Sequence, residues 1–333
     1  MEFGKRTIVI GASAGGIPAV SKLLAGLPDL AGLSILVVLH LSRTSNAKNI
    51  VSIFQKHTSL ICKVAVDGSK IEDGHLYLAP SDHHLLIKDD KIIVHQGPHE
   101  NRYRPSIDVL FRSAAVSLGN AVIGVVLTGM LDDGTSGMYA INKTGGICIV
   151  QDPTDAEYDD MPRSVLNLVD VDYTANLKDM QVLIAKLCTM PLPLSKAIPP
   201  EIKKEADLTE KMMSDINELK KIADQSDFVC PDCGGGLWAI KNDPTHRYRC
   251  HTGHVYTEQT LYEQHGDHLE QSVWVAIRML EERRNMLALM ASHASDRNEG
   301  ESAILYRIRA EQMETHIGRM KTILTTITKS SFP

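Results

Sequence analysis

The sequence lacks any apolar run long enough to cross a lipid bilayer. Its most apolar run covers residues 33–41, whereas a membrane-spanning helix needs roughly 20 apolar residues. The N-terminus also lacks the apolar core of a secretory signal, because Lys5 and Arg6 lead directly into a short apolar strand. We therefore expect no direct membrane insertion and a cytoplasmic location.

No part of the chain carries an excess of positive charge. The 333 residues include 35 Lys and Arg against 41 Asp and Glu, a net charge of −6. Residues 1–190 hold 17 basic and 20 acidic side chains, which leaves 18 and 21 in the remainder, so each part carries −3. Nucleic-acid-binding domains usually present a basic face. The charge pattern therefore argues against nucleic acid as a partner.

Cysteines are few, and half of them lie close together. Cys62, Cys148 and Cys188 are scattered in apolar surroundings, which is typical of buried thiols. The other three, at positions 230, 233 and 250, form a cluster. In a cytoplasmic protein such a cluster favours a metal site over disulfides.

Residues up to about 190 alternate short apolar segments with segments of helical periodicity. The predicted strands are 7–10, 34–39, 74–79, 92–95, 121–127 and 146–150, and predicted helices begin near residues 18, 46, 109 and 138. Fully apolar strands that alternate with helices are typical of a parallel sheet covered on both faces. The pattern therefore predicts an α/β fold, with a hairpin around residues 88–90.

The composition changes after Met190. Four prolines mark a linker, at positions 191, 193, 199 and 200. An amphipathic helix is predicted next, because apolar side chains recur at positions 208, 212, 216, 219 and 222. After the cysteine cluster, heptad spacing predicts an antiparallel hairpin of two long helices, 258–293 and 302–328. The predicted domains are thus 1–190, 191–226, 227–256 and 257–333.

A serine lies in a glycine-rich turn directly after the first predicted strand. Gly11-Ala12-Ser13-Ala14-Gly15 has the form Gly-x-Ser-x-Gly, in which small neighbours let the serine stand exposed between a strand and a helix. Similar turns serve nucleotide-binding folds, although the dinucleotide fingerprint Gly-x-Gly-x-x-Gly is missing here. The turn alone does not decide between catalysis and a structural role.

A histidine and an aspartate hold equivalent positions after two other apolar strands. His40 ends the second strand, and Asp132 and Asp133 follow the strand at 121–127. Because ligands bind beyond the carboxyl ends of strands in open parallel sheets, we expect these side chains near Ser13. Together they have the composition of a serine-hydrolase triad. The pattern leaves open which aspartate is the third member.

Six segments resemble the catalytic domain of chemotaxis-type protein-glutamate methylesterases. They follow the order of that family and lie at residues 8–16, 37–40, 77–84, 101–108, 127–134 and 161–163. The resemblance covers about residues 6–188. It implies a doubly wound α/β fold and a serine esterase that hydrolyses γ-glutamyl methyl esters on receptor helices. It also implies deamidation of receptor glutamines as a second expected activity.

The resemblance implies roles for individual residues. Ser13, His40 and Asp133 match the triad, with Asp133 chosen because the family motif is Gly-Met-x-x-Asp-Gly. The backbone N–H groups of His40 and Met130 match the oxyanion hole of the family. No cofactor is expected for catalysis.

Two further features concern the substrate. Arg102 and Arg104 are candidates for contacts with the acidic methylation region of a receptor, although each can equally pair with a nearby acid. Family members usually begin with a phospho-receiver domain that covers the active site, but here the catalytic motifs begin at residue 8. We therefore expect a chain without a receiver, whose substrate is a chemoreceptor or another methylated or amidated signalling protein.

The clustered cysteines and nearby histidines predict a structural zinc site. Cys230 and Cys233 form a Cys-x₂-Cys turn, and Cys250 and His254 supply a distant second pair. Zinc takes four nitrogen or sulfur ligands at such spacings in zinc ribbons. His251 is the alternative fourth ligand. Four protein ligands leave no open position, so a structural zinc in a zinc-ribbon-like docking module is expected.

Two classes of function compete. The enzyme is favoured because a scaffold protein has no need of Ser13, His40 and Asp133 together. The alternative is a non-enzymatic adaptor that keeps the fold for docking in a signalling complex. The C-terminal helices are expected to dimerise, to contact a partner or to pack only against each other.

Overall fold

The computed structural model describes residues 5–28, 32–212 and 215–329. Its contacts divide the chain into two units, one ending at Glu258 and the other beginning at Gln259. The first unit holds a large α/β domain and a small antiparallel sheet, and the second holds a pair of helices. The finer boundaries expected near residues 190, 226 and 256 stay predictions.

A seven-stranded parallel sheet forms the centre of the first unit. Its strands and one additional hairpin, β5–β6, are β1 (Arg6–Ala12), β2 (Leu33–Leu39), β3 (Ile61–Val64), β4 (His75–Leu78), β5 (His84–Lys88), β6 (Lys91–His95), β7 (Val122–Val126), β8 (Ile147–Gln151) and β9 (Tyr173–Ala175). The order across the sheet is β3-β4-β2-β1-β7-β8-β9, and all neighbours are parallel. The hairpin turns at the predicted residues.

Helices cover both faces of this sheet. They are α1 (Gly16–Ala25), α2 (Ala47–Phe54), α3 (Ile107–Leu118), α4 (Thr135–Thr144), α5 (Asp160–Leu168) and α6 (Leu177–Cys188). Helices α1, α2 and α6 share one buried cluster with Ile8 and Ile10, whereas α3, α4 and α5 share the other with Val9. Successive strand residues point to opposite faces, so a sheet covered twice needs strands that are apolar throughout. The predicted doubly wound, mostly parallel fold is confirmed.

The order in which the strands are added to the sheet reverses at β1. Strand β2 lies on one side of β1 and β7 on the other. Ligand sites in open α/β sheets form at such a switch point, beyond the carboxyl ends of the strands. The loops that follow β1, β2 and β7 therefore meet, and these are the loops that carry Ser13, His40 and Asp133.

The segment after α6 differs from the prediction. Helix α7 (Pro200–Glu210) begins earlier than expected, α8 (Ile216–Leu219) is a single turn, and residues 213 and 214 lie outside the described residues. The single amphipathic helix expected over residues 208–222 is therefore wrong. Its apolar positions Leu208, Leu219 and Ile222 do share one buried cluster, but two short helices and a turn bring them together.

A small antiparallel sheet follows. Its strands are β10 (Ala223–Val229), β11 (Gly236–Ile240), β12 (Tyr248–Cys250) and β13 (Val255–Tyr256), paired in that order. The β10–β11 connection carries Cys230 and Cys233, and the β12–β13 connection carries His254. The topology thus brings both halves of the predicted metal site to the same end of the sheet.

The second unit is a helical hairpin of α9 (Glu258–Asp296) and α10 (Gly300–Lys329). Val273, Ile277, Ile317 and Leu324 form its buried seam. Glu281 pairs with Lys321, and Arg284 pairs with Glu314; the paired numbers rise on one helix as they fall on the other, so the helices are antiparallel as predicted. None of the described helices is both long and apolar enough to cross a membrane.

Candidate active site

Ser13 occupies the turn between β1 and α1. Gly15 has a φ of 72°, a left-handed conformation that glycine adopts without strain. The Ser13 N–H donates to Thr128 O at 3.0 Å, which ties this turn to the loop after β7. In that loop, a Cβ atom on Gly129 would lie 2.8 Å from Ser13 Cβ. Glycine at both places therefore gives the serine hydroxyl its position beside His40.

The structure brings Ser13, His40 and Asp133 into one hydrogen-bonded chain. Ser13 Oγ lies 3.1 Å from His40 Nδ1, and His40 Nε2 lies 2.7 Å from Asp133 Oδ2. The side chain of His40 is 4% exposed and that of Asp133 is 0% exposed. A carboxylate only accepts hydrogen bonds, so Nε2 carries the proton and the lone pair of Nδ1 faces Ser13. Asp133 is thus the aspartate that reaches His40.

Asp133 is held by a dense set of donors. Its Oδ1 accepts from Asn101 Nδ2 and Ser106 Oγ, both at 2.9 Å, and its Oδ2 accepts from the Ile107 N–H at 2.7 Å. Burial alone would raise the pKa of Asp133, but the hydrogen bonds from His40, Ile107 and Asn101 hold that pKa below its usual value. The carboxylate is therefore ionised and fixed in orientation.

Asp108 is a second buried carboxyl beside Asp133. Its Oδ2 accepts from Asn101 Nδ2 at 2.8 Å, and its Oδ1 accepts from the Gly137 N–H at 2.6 Å. Burial, together with the negative charge of Asp133, raises the pKa of Asp108 to about 8. At neutral pH the pair therefore holds a single negative charge, on Asp133.

Two uncharged residues at the site, Asn101 and Tyr103, carry no sequence signal of their own. The ring of Tyr103 stacks on the ring of His40, with centroids 3.5 Å apart and planes 8° apart. Asn101 bridges Asp133 and Asp108. Both lie in the 101–108 segment that carries part of the resemblance, but only its arginines stood out, because charge suggests substrate contact.

The two candidate arginines differ in their surroundings. Arg104 donates to Asp82 Oδ1 at 2.8 Å and to Gly97 O at 2.8 Å, so it pairs with a nearby acid and anchors its loop. Arg102 is exposed and has a φ of 70°. Of the two, Arg102 is the more exposed to solvent.

The two expected oxyanion donors also differ. The His40 N–H donates to Ala12 O at 3.2 Å, as part of the β1–β2 pairing. The resemblance implies an oxyanion-hole role for this N–H; in the structure it is engaged in the sheet, and that role stays a prediction. Met130 follows Gly129 in the loop beside Ser13 and is exposed. Within residues 5–28, 32–212 and 215–329, the Met130 N–H has no hydrogen-bond partner. It is therefore available to donate a hydrogen bond to an oxyanion.

Four side chains in the small sheet can hold a metal ion. The ligand atoms of Cys230, Cys233, Cys250 and His254 all lie within 4.8 Å of one another. Cys233 Sγ and Cys250 Sγ are 3.8 Å apart, and His254 Nδ1 lies 3.6 Å from the Sγ atoms of Cys230 and Cys250. His254 is the histidine of this group, whereas His251 lies beside Gly235.

Comparison with known proteins identifies the family of the α/β domain. The sequence model of the CheB methylesterase family matches residues 8–184. The chain belongs to this family. A homologue from Leptospira interrogans (strain Fiocruz L1-130) is 40% identical over 181 residues, which cover 54% of this chain and 93% of that protein. The protein-glutamate methylesterase/protein-glutamine glutaminase of Escherichia coli (strain K12) is 34% identical over 188 residues, 55% of this chain and 53% of that protein.

The fold agrees with this membership. The crystal structure of the Thermotoga maritima CheB methylesterase catalytic domain matches with a TM-score of 0.52 and 28% identity, covering 55% of this chain and 99% of that one. The family match ends at residue 184. The small sheet and the helical hairpin are therefore additions beyond the matched domain.

The buried pair of aspartates predicts a pH-dependent stability difference. Folded Asp108 keeps its proton up to about pH 8, whereas an unfolded aspartate loses it near about pH 4. Between these values the folded state binds the extra proton, so the contribution of Asp108 to stability falls as pH rises. Asp108→Asn removes this titration. The free energy of unfolding of the variant minus that of the wild type should rise from about pH 5 to about pH 8, by up to about 1.4 kcal/mol per pH unit.

Urea unfolding at both pH values measures this difference. Asp227→Asn, which removes an exposed carboxyl, corrects for the loss of one charge. A difference between Asp108→Asn and wild type that stays constant with pH contradicts the raised pKa.

Proposed function

We propose that this chain is a protein-glutamate methylesterase, a serine hydrolase that cleaves γ-glutamyl methyl esters on a chemoreceptor or a related signalling protein. Deamidation of glutamine side chains on the same partner is part of the proposal, as is a cytoplasmic location. The observation that carries it is the hydrogen-bonded chain from Ser13 through His40 to Asp133. Membership of the CheB methylesterase family supports the same reaction.

The first half of the reaction forms an acyl-enzyme. Ser13 Oγ attacks the ester carbonyl while its proton passes to His40 Nδ1, 3.1 Å away. Asp133, 2.7 Å from Nε2, stabilises the imidazolium that results. The Met130 N–H, on the loop beside Ser13, stabilises the negative oxygen of the tetrahedral intermediate. The C–O bond to the methoxy group then breaks, and His40 returns the proton to the departing methanol.

The second half repeats these steps with water. His40 takes a proton from the water that attacks the acyl-enzyme, and Ser13 leaves with that proton restored. The product is a free glutamate side chain. With glutamine as substrate, ammonia leaves in place of methanol and the product is the same.

Removal of the serine hydroxyl tests this chemistry directly. Ser13→Ala should lower methanol release from a methylated receptor by at least about 1,000-fold, because no acyl-enzyme can form. Ser52→Ala, which removes an exposed hydroxyl on α2, should match the wild type. Gas chromatography of released methanol measures both. If Ser13→Ala retains wild-type turnover, the assignment of Ser13 is wrong, and a wild type without turnover favours the adaptor.

We also propose a structural zinc ion bound by Cys230, Cys233, Cys250 and His254. For Zn–S bonds of about 2.3 Å and a Zn–N bond of about 2.1 Å, a tetrahedron places its sulfur atoms about 3.8 Å apart and its sulfur and nitrogen atoms about 3.6 Å apart. The Sγ–Sγ distance of 3.8 Å and the Sγ–Nδ1 distances of 3.6 Å fit that geometry. Asp232 Oδ2 lies 3.8 Å from His254 Nε2, on the side of the ring away from the three cysteines.

Metal analysis tests the zinc proposal. The purified wild type should contain about one equivalent of zinc, and Cys233→Ser should contain less than about half an equivalent. Cys188→Ser is the control, because it removes a thiol that lies outside the cluster. A wild type with less than about half an equivalent rules the site out.

We propose, thirdly, that the helical hairpin pairs with a second copy of itself. Val275, Met279, Met286 and Met290 lie on one face of α9, since they step by four, seven and four positions. All four are exposed, with Met279 at 60%. They face away from Val273 and the buried seam of the hairpin. Two such hairpins would bury these stripes against each other as a four-helix bundle.

Light scattering tests the association. The wild type should have twice the 36.7 kDa mass of the chain. Met279→Glu should reduce the mass to that of the monomer, because the charge would be buried in the bundle. Thr315→Glu adds the same charge to an exposed position of α10 and should leave the dimer intact. A monomeric wild type contradicts the proposal.

A further inference from the structure

Strand β13 of the small sheet pairs with the loop that contacts the triad. The Val255 N–H donates to His99 O at 3.2 Å, and the Asn101 N–H donates to Val255 O at 2.8 Å. Glu100 and Val255 thereby form a parallel bridge. Asn101 and Arg102 have φ values of 53° and 70°, which L-residues adopt when their surroundings hold them there. The pairing with β13 supplies two of the hydrogen bonds that hold this loop.

A buried network of ion pairs holds the same loop through the Glu100 side chain. Glu100 is 1% exposed. Its Oε1 accepts from Arg249 Nη1 at 3.2 Å and from Thr209 Oγ1 at 3.1 Å, and its Oε2 accepts from Arg112 Nη2 at 2.6 Å. Burial alone would raise the pKa of Glu100, but Arg112 and Arg249 hold that pKa far below its usual value. The ionised carboxylate therefore ties the loop to β12, α7 and α3.

The next residues of the loop reach the catalytic pair. Asn101 directly follows Glu100 and donates to Asp133 Oδ1 at 2.9 Å. Tyr103 lies two residues further on and stacks on His40 at a centroid distance of 3.5 Å. A shift of Glu100 would move both side chains, because so few backbone bonds separate them.

We propose that Arg249 and strand β13 position the catalytic centre by holding loop 99–104, so that Asn101 orients Asp133 and Tyr103 orients His40. The small sheet then acts on the reaction through this loop and without touching the substrate. This inference rests on the proposed esterase function. It assigns the small sheet a part in the reaction, beside its expected role in docking.

Arg249 and Arg247 offer a matched pair of variants. Both are buried arginines of the same segment, at 1% and 2% exposure. Arg247 bonds Glu205 and Asp243, whereas Arg249 bonds Glu100. Replacement of either by methionine removes one buried guanidinium and keeps an unbranched apolar stem. Of these two substitutions, only Arg249→Met removes a hydrogen bond to loop 99–104.

The test uses the full chain and a fluorophosphonate, which reacts with an activated serine. Arg249→Met should lower the maximal rate of labelling by roughly 10-fold or more, because small misplacements of catalytic groups cost such factors. The fluorophosphonate concentration at half-maximal rate should change less than about twofold, because the buried Arg249 does not touch the probe. Amide hydrogen exchange of residues 99–104 should become faster. Arg247→Met should keep the wild-type values of all three.

Each outcome decides the inference. Wild-type labelling and exchange in Arg249→Met, or an equal loss in Arg247→Met at equal zinc content, overturns it. If Arg249→Met does not fold, Arg249→Lys should still slow labelling and speed exchange, because an ammonium replaces the guanidinium fork; wild-type values in both measurements contradict the inference. If the wild type itself is not labelled, the proposed esterase function fails, while the exchange comparison still tests the link from Arg249 to the loop.

Discussion

The carboxylate of Asp133 is the constraint on which the rest of the site depends. It is fully buried, and an isolated buried charge is costly. The protein meets this cost with hydrogen bonds to both oxygens, from His40, Asn101, Ser106 and Ile107. Since one of these donors is His40 Nε2, the same bonds that stabilise the charge fix the imidazole and direct its free nitrogen to Ser13.

The positions of the triad side chains depend on the parallel sheet, on loop 99–104 and on the small sheet. The parallel sheet brings the ends of β1, β2 and β7 together at the switch point. Loop 99–104 then contacts Asp133 through Asn101 and His40 through Tyr103. The small sheet, which lies beyond the family match ending at residue 184, pairs with that loop through Val255. An element beyond the matched family domain thus contacts a loop that holds both members of the catalytic pair.

Much of this arrangement could be predicted from the sequence. The apolar strands of residues 7–10, 34–39 and 121–127 indicated a sheet buried on both faces, and His40 and Asp133 stood out because each follows such a strand. Asn101 and Tyr103 could not be chosen in this way, because their roles depend on a loop with left-handed residues at 101 and 102. The spacing of apolar residues in the sequence does not reveal such a backbone conformation.

Two differences between the expectations and the structure have a similar origin. Leu208, Leu219 and Ile222 are spaced as on one helix, but they pack together across two short helices and a turn. The resemblance implies an oxyanion-hole role for the His40 N–H, whereas in the structure this N–H donates to Ala12 O within the sheet. In both cases the outcome depends on contacts between segments that are distant in the sequence, and these contacts cannot be seen in the sequence pattern.

The central claim is that Asp133 and His40 make Ser13 a nucleophile. Mass spectrometry of the fluorophosphonate-treated, trypsin-digested wild type tests it most directly. We predict one phosphonyl adduct, on Ser13 within the peptide of residues 7–22. A folded protein without an adduct, or with the adduct on another serine and Ser13 unmodified, would contradict the account.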